Sequence, residues 1–217
     1  RPEPTGASGS MEFREVRRNN IRYGSATVNA TTENNVLRAT LSGEVDKVPL
    51  HGTAEARFVE GMPVKGDLHF DRLSMATLEA LAGAPVASVV DGSIEGGVRF
   101  EGPLRQPGRL QATIEIDQLQ IASRAQRETP AKASTPDLAL KNSGPIVIEA
   151  ADGMARVRSF QLEGNETRVA LAGSVPYLGK NAGAAAGLRI TGSVNLRIVH
   201  LFDPNVESSG RSVVSAS

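Results

Sequence analysis

The sequence predicts an all-β protein whose strands have one apolar and one polar face. Apolar and polar residues alternate with a period of two over many stretches, which is typical of strands in a half-exposed sheet. Gly, Pro and Asn separate these stretches at spacings that suit tight turns. Only 4% of the 217 residues are aromatic and none is Trp. The apolar faces are therefore expected to consist of Val, Ile, Leu, Ala and Gly.

The clearest alternation runs from Asp91 to Ile121. Its apolar face carries Ile94, Gly96, Val98, Phe100, Leu110, Ala112, Ile114 and Ile116. Gly102-Pro103 and Pro107-Gly108 punctuate the link between its two halves, because Pro fixes φ and Gly tolerates a positive φ. This stretch predicts two strands joined by one short turn.

The first 35 residues alternate less clearly. Residues 1–10 are rich in Pro, Gly and Ser and are predicted to be a disordered linker. Two candidate strands follow, Met11 to Val16 and Ile21 to Ala30, with Asn19-Asn20 between them as a turn. A third strand is predicted from Leu37 to Val45.

The cleanest hairpin lies between Leu50 and Phe70. Its first strand places Leu50, Ala54, Ala56 and Phe58 on one face, and its second strand does the same with Val64, Leu68 and Phe70. A turn is predicted at Glu60 to Pro63.

A short helix interrupts the strands after this hairpin. Leu73, Met75, Leu78 and Leu81 follow helical spacing, Ser74 can cap the first turn, and Gly83 with Pro85 ends the pattern. The sequence therefore predicts a helix over Ser74 to Leu81.

The second half begins with a polar segment, residues 123–136, which contains two Pro and is predicted to be an exposed loop. This loop divides the predicted sheet into two segments, 11–122 and 137–217. Strands are predicted at Ile146 to Ala150, Ala155 to Leu162 and Arg168 to Val175. The longest alternation comes last, with Leu188, Ile190, Val194, Leu196 and Ile198 on one face.

Composition and motifs exclude several classes of function. The 24 basic residues balance the 24 acidic ones, so net charge gives no argument for nucleic-acid binding. Without Cys there are no disulfides or thiolate metal sites. His51 and His69 are expected to approach each other on the polar face of the hairpin, but no metal-ligand spacing or catalytic constellation occurs. We therefore expect no enzyme activity, no cofactor and no metal, and no run of apolar residues is long enough to span a membrane.

The residues alone leave the partner of the apolar face open. A second sheet, the remainder of a coil or a bound ligand could each cover it.

A resemblance to a known family favours one of these alternatives. The pattern Gly-x-apolar-x-Gly-x-apolar-x-apolar-x-Gly-Pro-Leu-x-x-Pro-x-x-apolar, between Gly92 and Leu110, resembles the repeat of TamB and AsmA-like proteins. The segments Ser74 to Leu81 and Val199 to Pro204 resemble the short helix or turn before each repeat, and Ser208 to Ser217 resembles the start of another. The match covers Leu73 to Ile121 and Leu188 to Ser217.

The resemblance implies a long curved sheet folded lengthwise into an open, solenoid-like groove with one or two short helices. Such proteins lie in the periplasm of Gram-negative-type bacteria and are anchored in the inner membrane by a segment outside these residues. Their groove is thought to conduct phospholipid acyl chains between the membranes and to support outer-membrane biogenesis, with an outer-membrane barrel protein of the Omp85 type as a further partner. The residues expected to line the groove are Leu50, Ala54, Ala56, Phe58, Val64, Leu68, Phe70, Ile94, Val98, Phe100, Leu110, Ile114, Ile116, Leu188, Ile190, Val194, Leu196 and Ile198. The alternative is a structural or adhesive β-solenoid or sandwich with an internally filled core and no lipid.

Overall fold

The protein is almost entirely β-structure, as the alternation predicts. The computed structural model describes residues 6–18, 21–82, 90–123, 139–164, 166–176, 187–196 and 210–216. These residues form fourteen strands, one α-helix and one short 3-10 helix, and all the strands belong to one sheet. The predicted all-β class is confirmed.

The strands follow the chain in order. They are β1 Gly6–Arg18, β2 Ile21–Glu33, β3 Val36–Val45, β4 Val48–Arg57, β5 Pro63–Ser74, β6 Val90–Pro103, β7 Gln111–Ser123, β8 Ala139–Asn142, β9 Ile146–Ala151, β10 Met154–Ser159, β11 Gln161–Gly164, β12 Thr167–Pro176, β13 Gly187–Asn195 and β14 Arg211–Ala216. The helix α1 spans Met75–Ala82 between β5 and β6, and the 3-10 turn spans Pro107–Arg109.

The sheet is an antiparallel meander. Each strand from β1 to β7 pairs with the next one along the chain. Beyond β7, two short strands share each of two positions in the sheet: β8 and β9 both pair with β7, and β10 and β11 both pair with β12. The fourteen strands therefore occupy twelve successive positions, and pairing is restricted to consecutive strands within β1 to β7 and within β12 to β14.

Alternation of apolar and polar residues along each strand gives the sheet one apolar face and one polar face. In β3, for example, Leu37, Ala39 and Leu41 are partly buried, while the polar residues between them are exposed. β4 and β5 repeat this pattern on the same side of the sheet, since Ala39 pairs with Ala54 and Ala54 with Gly66.

A line of irregular pairing crosses the sheet from β5 to β11. The register shifts between Phe70 and Leu73 in β5, between Glu95 and Gly96 in β6, and between Val157 and Ser159 in β10. The gap between β8 and β9 falls on the same line. A bulge adds a residue to one strand and bends it, so a row of bulges bends the sheet lengthwise.

The packed core straddles this bulge line, since Ile146 lies on the side of Ile116 and Leu119 lies on the other side. It consists of Leu119, Leu140, Ile146 and Leu162, which we call the core cluster. The partly buried side chains that pack against it come from β6 to β13 and are Ile94, Ile116, Ile121, Ile148, Phe160 and Val194. Because these strands are up to several positions apart, the apolar face must curve inward here.

The side chain of Asn142 provides hydrogen-bond partners for backbone groups at the gap between β8 and β9. Its Nδ2 donates to the carbonyl oxygens of Asp117 at 2.9 Å and Gly144 at 2.8 Å, and its Oδ1 accepts from the backbone N–H of Leu119 at 2.7 Å. One amide side chain thus replaces the ladder bonds that the bulge removes.

The helix α1 begins as the sequence predicts. Ser74 Oγ accepts a hydrogen bond from the backbone N–H of Thr77 at 3.1 Å, which is the geometry of an N-cap. The buried Thr77 Oγ1 also donates to Asp46 Oδ2 at 2.8 Å. This bond ties the helix to the turn between β3 and β4.

Three expectations differ from the structure. β1 begins at Gly6, so residues 6–10 are part of a strand and the prediction of a linker is wrong for them. β8 was not anticipated, and the single strand expected over Ala155 to Leu162 is two strands, β10 and β11, divided at Phe160. Residues 124–138, most of the predicted loop, and the predicted turn from Val199 to Pro204 lie outside the described residues.

Candidate functional site: an apolar strip along the sheet

Three parallel rows of apolar residues run across the strands on the core side of the sheet. The middle row, read through successive paired positions, is Met11, Val28, Leu41, Gly52, Leu68, Val98, Ile114, Ile148, Val157, Gly173 and Leu188. The row on one side is Gly9, Ala30, Ala39, Ala54, Gly66, Phe100, Ala112, Ala150, Ala155 and Val175. The row on the other side, next to the bulge line, is Phe13, Ala26, Gly43, Leu50, Phe70, Gly96, Ile116 and Ile146. We call these rows together the apolar strip.

No polar side chain interrupts the strip. The middle row makes ten steps between paired residues, and at about 4.8 Å per strand it extends roughly 48 Å. The three rows lie two residues apart along each strand, so the strip is about 14 Å wide. This is a continuous apolar surface longer than the roughly 30 Å hydrocarbon core of a bilayer.

Much of the strip is only partly covered. From Val28 to Leu188, every large side chain of the middle row is half-buried, whereas the core cluster residues are at most 9% exposed. The same face of the sheet is therefore filled by the protein's own side chains around the core cluster, where Ile146 of the strip is buried, and remains partly accessible along the middle row.

Most of the predicted lining residues share this face. Nine belong to the strip itself: Leu50, Ala54, Leu68, Phe70, Val98, Phe100, Ile114, Ile116 and Leu188. Ala56 and Val64 pair with each other directly beside it. Ile94 and Val194 pack against the core cluster.

The remaining predicted residues lie at the margins. Leu110 approaches Gly102 just before β7, and Leu196 follows β13. Ile190 is 38% exposed in β13, and Phe58 lies beyond the end of β4 with 45% of its surface exposed. Phe58 is therefore not part of the strip. Ile198 lies outside the described residues.

Sequence reasoning missed the strip residues at both ends of the sheet. Met11 and Val28 in the first two strands belong to it, as do Ile148 and Val157 in the split positions. In β2, Ser, Thr and Asn weaken the alternation of apolar and polar residues. In β9 and β10 the strands are too short for the alternation to be recognised. The signal that identifies these residues is their register against β3 and β7, which only pairing reveals.

Glycine in the strip allows neighbouring strands to approach closely. A Cβ on Gly96 would lie 2.1 Å from the carbonyl oxygen of Glu115 and 2.9 Å from the Cα of Ile116. In β12, Gly173 combines a φ of +124° with a Cβ position only 1.9 Å from the carbonyl oxygen of Gly187. Both positions need Gly because backbone occupies the space that any side chain would fill.

The opposite face of the sheet is charged. Glu55 lies between Arg38 at 3.6 Å and Lys65 at 3.8 Å on the two neighbouring strands. Further along, Arg99 pairs with Glu115 at 2.8 Å and Arg158 with Glu149 at 2.7 Å. These pairs are exposed and each contributes little to stability, but together they keep this face in contact with water.

The polar face also holds shallow depressions. One of about 690 Å³ is lined by Thr53, Lys65, Asp67, Arg99 and other polar residues of β4 to β7. Thr53 donates a hydrogen bond to Asp67 within it. Its lining mixes charges of both signs with Phe100 and Ala112, which gives this depression no evident ligand preference.

His51 and His69 face each other in register across β4 and β5, as expected, and His69 lies 3.5 Å from Asp71. Within the described ranges, no group of three His, Asp or Glu side chains is arranged to hold a metal ion. No helix in the described part of the chain is long and apolar enough to cross a membrane.

Comparisons with protein-family models, with curated proteins and with solved structures give no match for this chain.

Proposed function

We propose that this chain holds phospholipid acyl chains along the apolar strip and conducts them from one end of the sheet to the other. The observation that carries this proposal is the uninterrupted run of apolar residues in three adjacent rows, on a face that stays partly exposed along its middle row.

An acyl chain suits such a surface for a simple energetic reason. Transfer of each CH2 group from water to an apolar surface contributes about 0.8 kcal/mol, so a chain of many CH2 groups binds without any specific polar contact. A track without polar contacts also has no deep energy minimum along its length. Movement along it is then limited by many small steps instead of one strong site.

The resemblance to TamB and AsmA-like proteins agrees with this proposal. Under it, the chain would act in the periplasm between the two membranes and support outer-membrane biogenesis, with a barrel protein as a further partner. The proposed lipid track does not depend on the location or on the barrel partner, since the apolar strip alone supports it.

A structural sheet without a ligand is the second candidate, and the core cluster favours it. Leu119, Leu140, Ile146 and Leu162 are packed by side chains of the same sheet, so part of the apolar face needs no ligand. The two candidates differ in what covers the strip between β2 and β7.

An assay of lipid uptake distinguishes the lipid track from the structural sheet without a ligand. Delipidated protein should bind a fluorescent phospholipid and carry phospholipid in native mass spectra. Ile114→Asp, in the middle row, should abolish uptake while far-ultraviolet circular dichroism stays that of a sheet, and Leu196→Asp should weaken it. Thr113→Asp, the neighbouring position on the polar face, is the matched control and should bind as the wild type does. Unfolding by Ile114→Asp, together with no lipid in the wild type, would instead identify a filled core.

A further inference from the structure

Two neighbouring turns at one rim of the sheet carry exposed apolar side chains. Phe58 and Val59, between β4 and β5, are 45% and 54% exposed, and Leu104, between β6 and β7, is 50% exposed. We call these three residues the rim patch. They lie at the ends of strands, outside the apolar strip, and contribute nothing to the core cluster.

Backbone hydrogen bonds hold these turns in a fixed arrangement. The N–H of Leu104 donates to the carbonyl oxygen of Met62 at 3.0 Å, which joins the two turns directly. The N–H of Met62 donates to Val59 at 2.9 Å, and the N–H of Phe58 donates to Asn35 at 2.8 Å. The apolar tips are thus displayed by an ordered scaffold, so a partner does not have to order them first.

The same two turns place Arg side chains beside the apolar tips, and Glu55, Glu101 and Asp152 line the same depression as Arg57 and Arg109. Residues 57–63 and 103–109 contain three Arg, at 57, 105 and 109, and one carboxylate, Glu60. Arg57 Nε lies 3.9 Å from Glu55, and Arg109 donates to the side chain of Gln106 at 3.2 Å. Arg105 has no ion-pair or hydrogen-bond partner in the described part of the chain and is exposed. The Arg105 guanidinium therefore remains available to an anionic partner, whereas Arg57 lies beside Glu55.

We propose that the rim patch docks this edge of the sheet onto the surface of a bilayer that contains anionic phospholipid. Exposed apolar side chains with an adjacent Arg match the two layers of a membrane interface, since apolar groups can reach the acyl boundary while the Arg side chain meets the phosphates. The exposed Arg105 beside these apolar residues favours a surface with phosphate groups over a purely apolar partner.

This docking goes beyond lipid conduction along the strip. It concerns a bilayer surface and residues outside the strip, so either proposal can fail alone. Docking would bring the open apolar face close to a source or a sink of lipid.

Vesicle flotation tests the proposal. The wild type should float with vesicles of phosphatidylcholine and phosphatidylglycerol, and much less with vesicles of phosphatidylcholine alone. The triple variant Phe58→Ser, Val59→Ser, Leu104→Ser should lose at least tenfold in apparent affinity, because three half-exposed apolar groups no longer enter the interface. Val213→Ser is the matched control, since Val213 in β14 is 83% exposed and lies far along the sheet from the patch; it should float as the wild type does.

A charge variant gives a second, independent readout. Arg105→Gln with Arg109→Gln should reduce binding to the anionic vesicles severalfold and flatten its dependence on salt, which screens exposed charges. All five residues are at the surface, so circular dichroism should be unchanged.

Three outcomes would overturn the proposal: no flotation of the wild type, equal flotation of the triple variant, or a dimer in light scattering that the triple variant converts to a monomer. The last would show that the patch joins two copies of this chain. The triple variant should still take up fluorescent lipid, whereas Ile114→Asp should still float, so failure of docking is distinguishable from failure of the lipid track.

Discussion

Removing a leucine should cost far more in the core cluster than in the apolar strip. Leu162 is 9% exposed and packed within the cluster, whereas Leu68, in the middle row, is half-buried. Leu162→Ala leaves an enclosed cavity and should lower the free energy of unfolding by about 3 kcal/mol. Leu68→Ala removes a side chain that already contacts solvent, opens no closed cavity and should cost about 1 kcal/mol. The difference of about 2 kcal/mol is roughly a 30-fold difference in the unfolding equilibrium.

Urea unfolding of the delipidated protein, followed by circular dichroism, measures both values. The midpoint should fall clearly for Leu162→Ala and only slightly for Leu68→Ala, with similar slopes. Equal losses for the two variants would show that the strip is covered as tightly as the core. In that case the accessible face, on which the lipid track depends, would not exist in solution.

Three further substitutions test the features that shape the sheet. Asn142→Leu should cost about 2–4 kcal/mol, because it leaves two carbonyl oxygens and one N–H unpaired, and hydrogen exchange should show faster opening where β7 meets β8. Gly96→Ala should lower the free energy of unfolding by about 1–3 kcal/mol, because the added Cβ overlaps the backbone of β7. Gly9→Ala is the control and should leave thermal unfolding nearly unchanged, since a Cβ there would meet nothing within 4 Å. Equal effects of the two substitutions would contradict the close approach of β6 and β7 at Gly96. Ser74→Ala should cost about 1 kcal/mol by removing the cap on Thr77, and an unchanged unfolding midpoint would show that the helix is held by other contacts.

The sequence was sufficient for the class of fold and for the faces of the central strands. The period of two between Leu50 and Ile116 identified which side chains share a face, because side-chain direction in a strand depends only on alternation. Ser74 predicted the start of α1 because N-capping is a local interaction.

The bulge line and the extent of the strip could not be read from the sequence. A bulge depends on register against the neighbouring strand, and no local signal marks the interruptions at Asn142 or Phe160. Residues 6–10 have the composition of a linker, yet pairing with β2 makes them part of a strand. Alternation alone also does not distinguish the partly exposed strip from the core cluster. Leu68 and Leu162 both stand in alternating stretches of the sequence, and only the pairing of their strands shows which of them is packed in the core.

Site-specific photo-crosslinking tests the lipid track most directly. Val98 and Arg99 are neighbours in β6 that project from opposite faces of the sheet, Val98 into the middle row and Arg99 into the charged face. With p-benzoylphenylalanine at either position, irradiation in the presence of phospholipid vesicles should give a protein–phospholipid adduct at position 98 and none at position 99. No adduct at position 98, or equal yields at the two positions, would contradict the proposal that acyl chains lie along the strip.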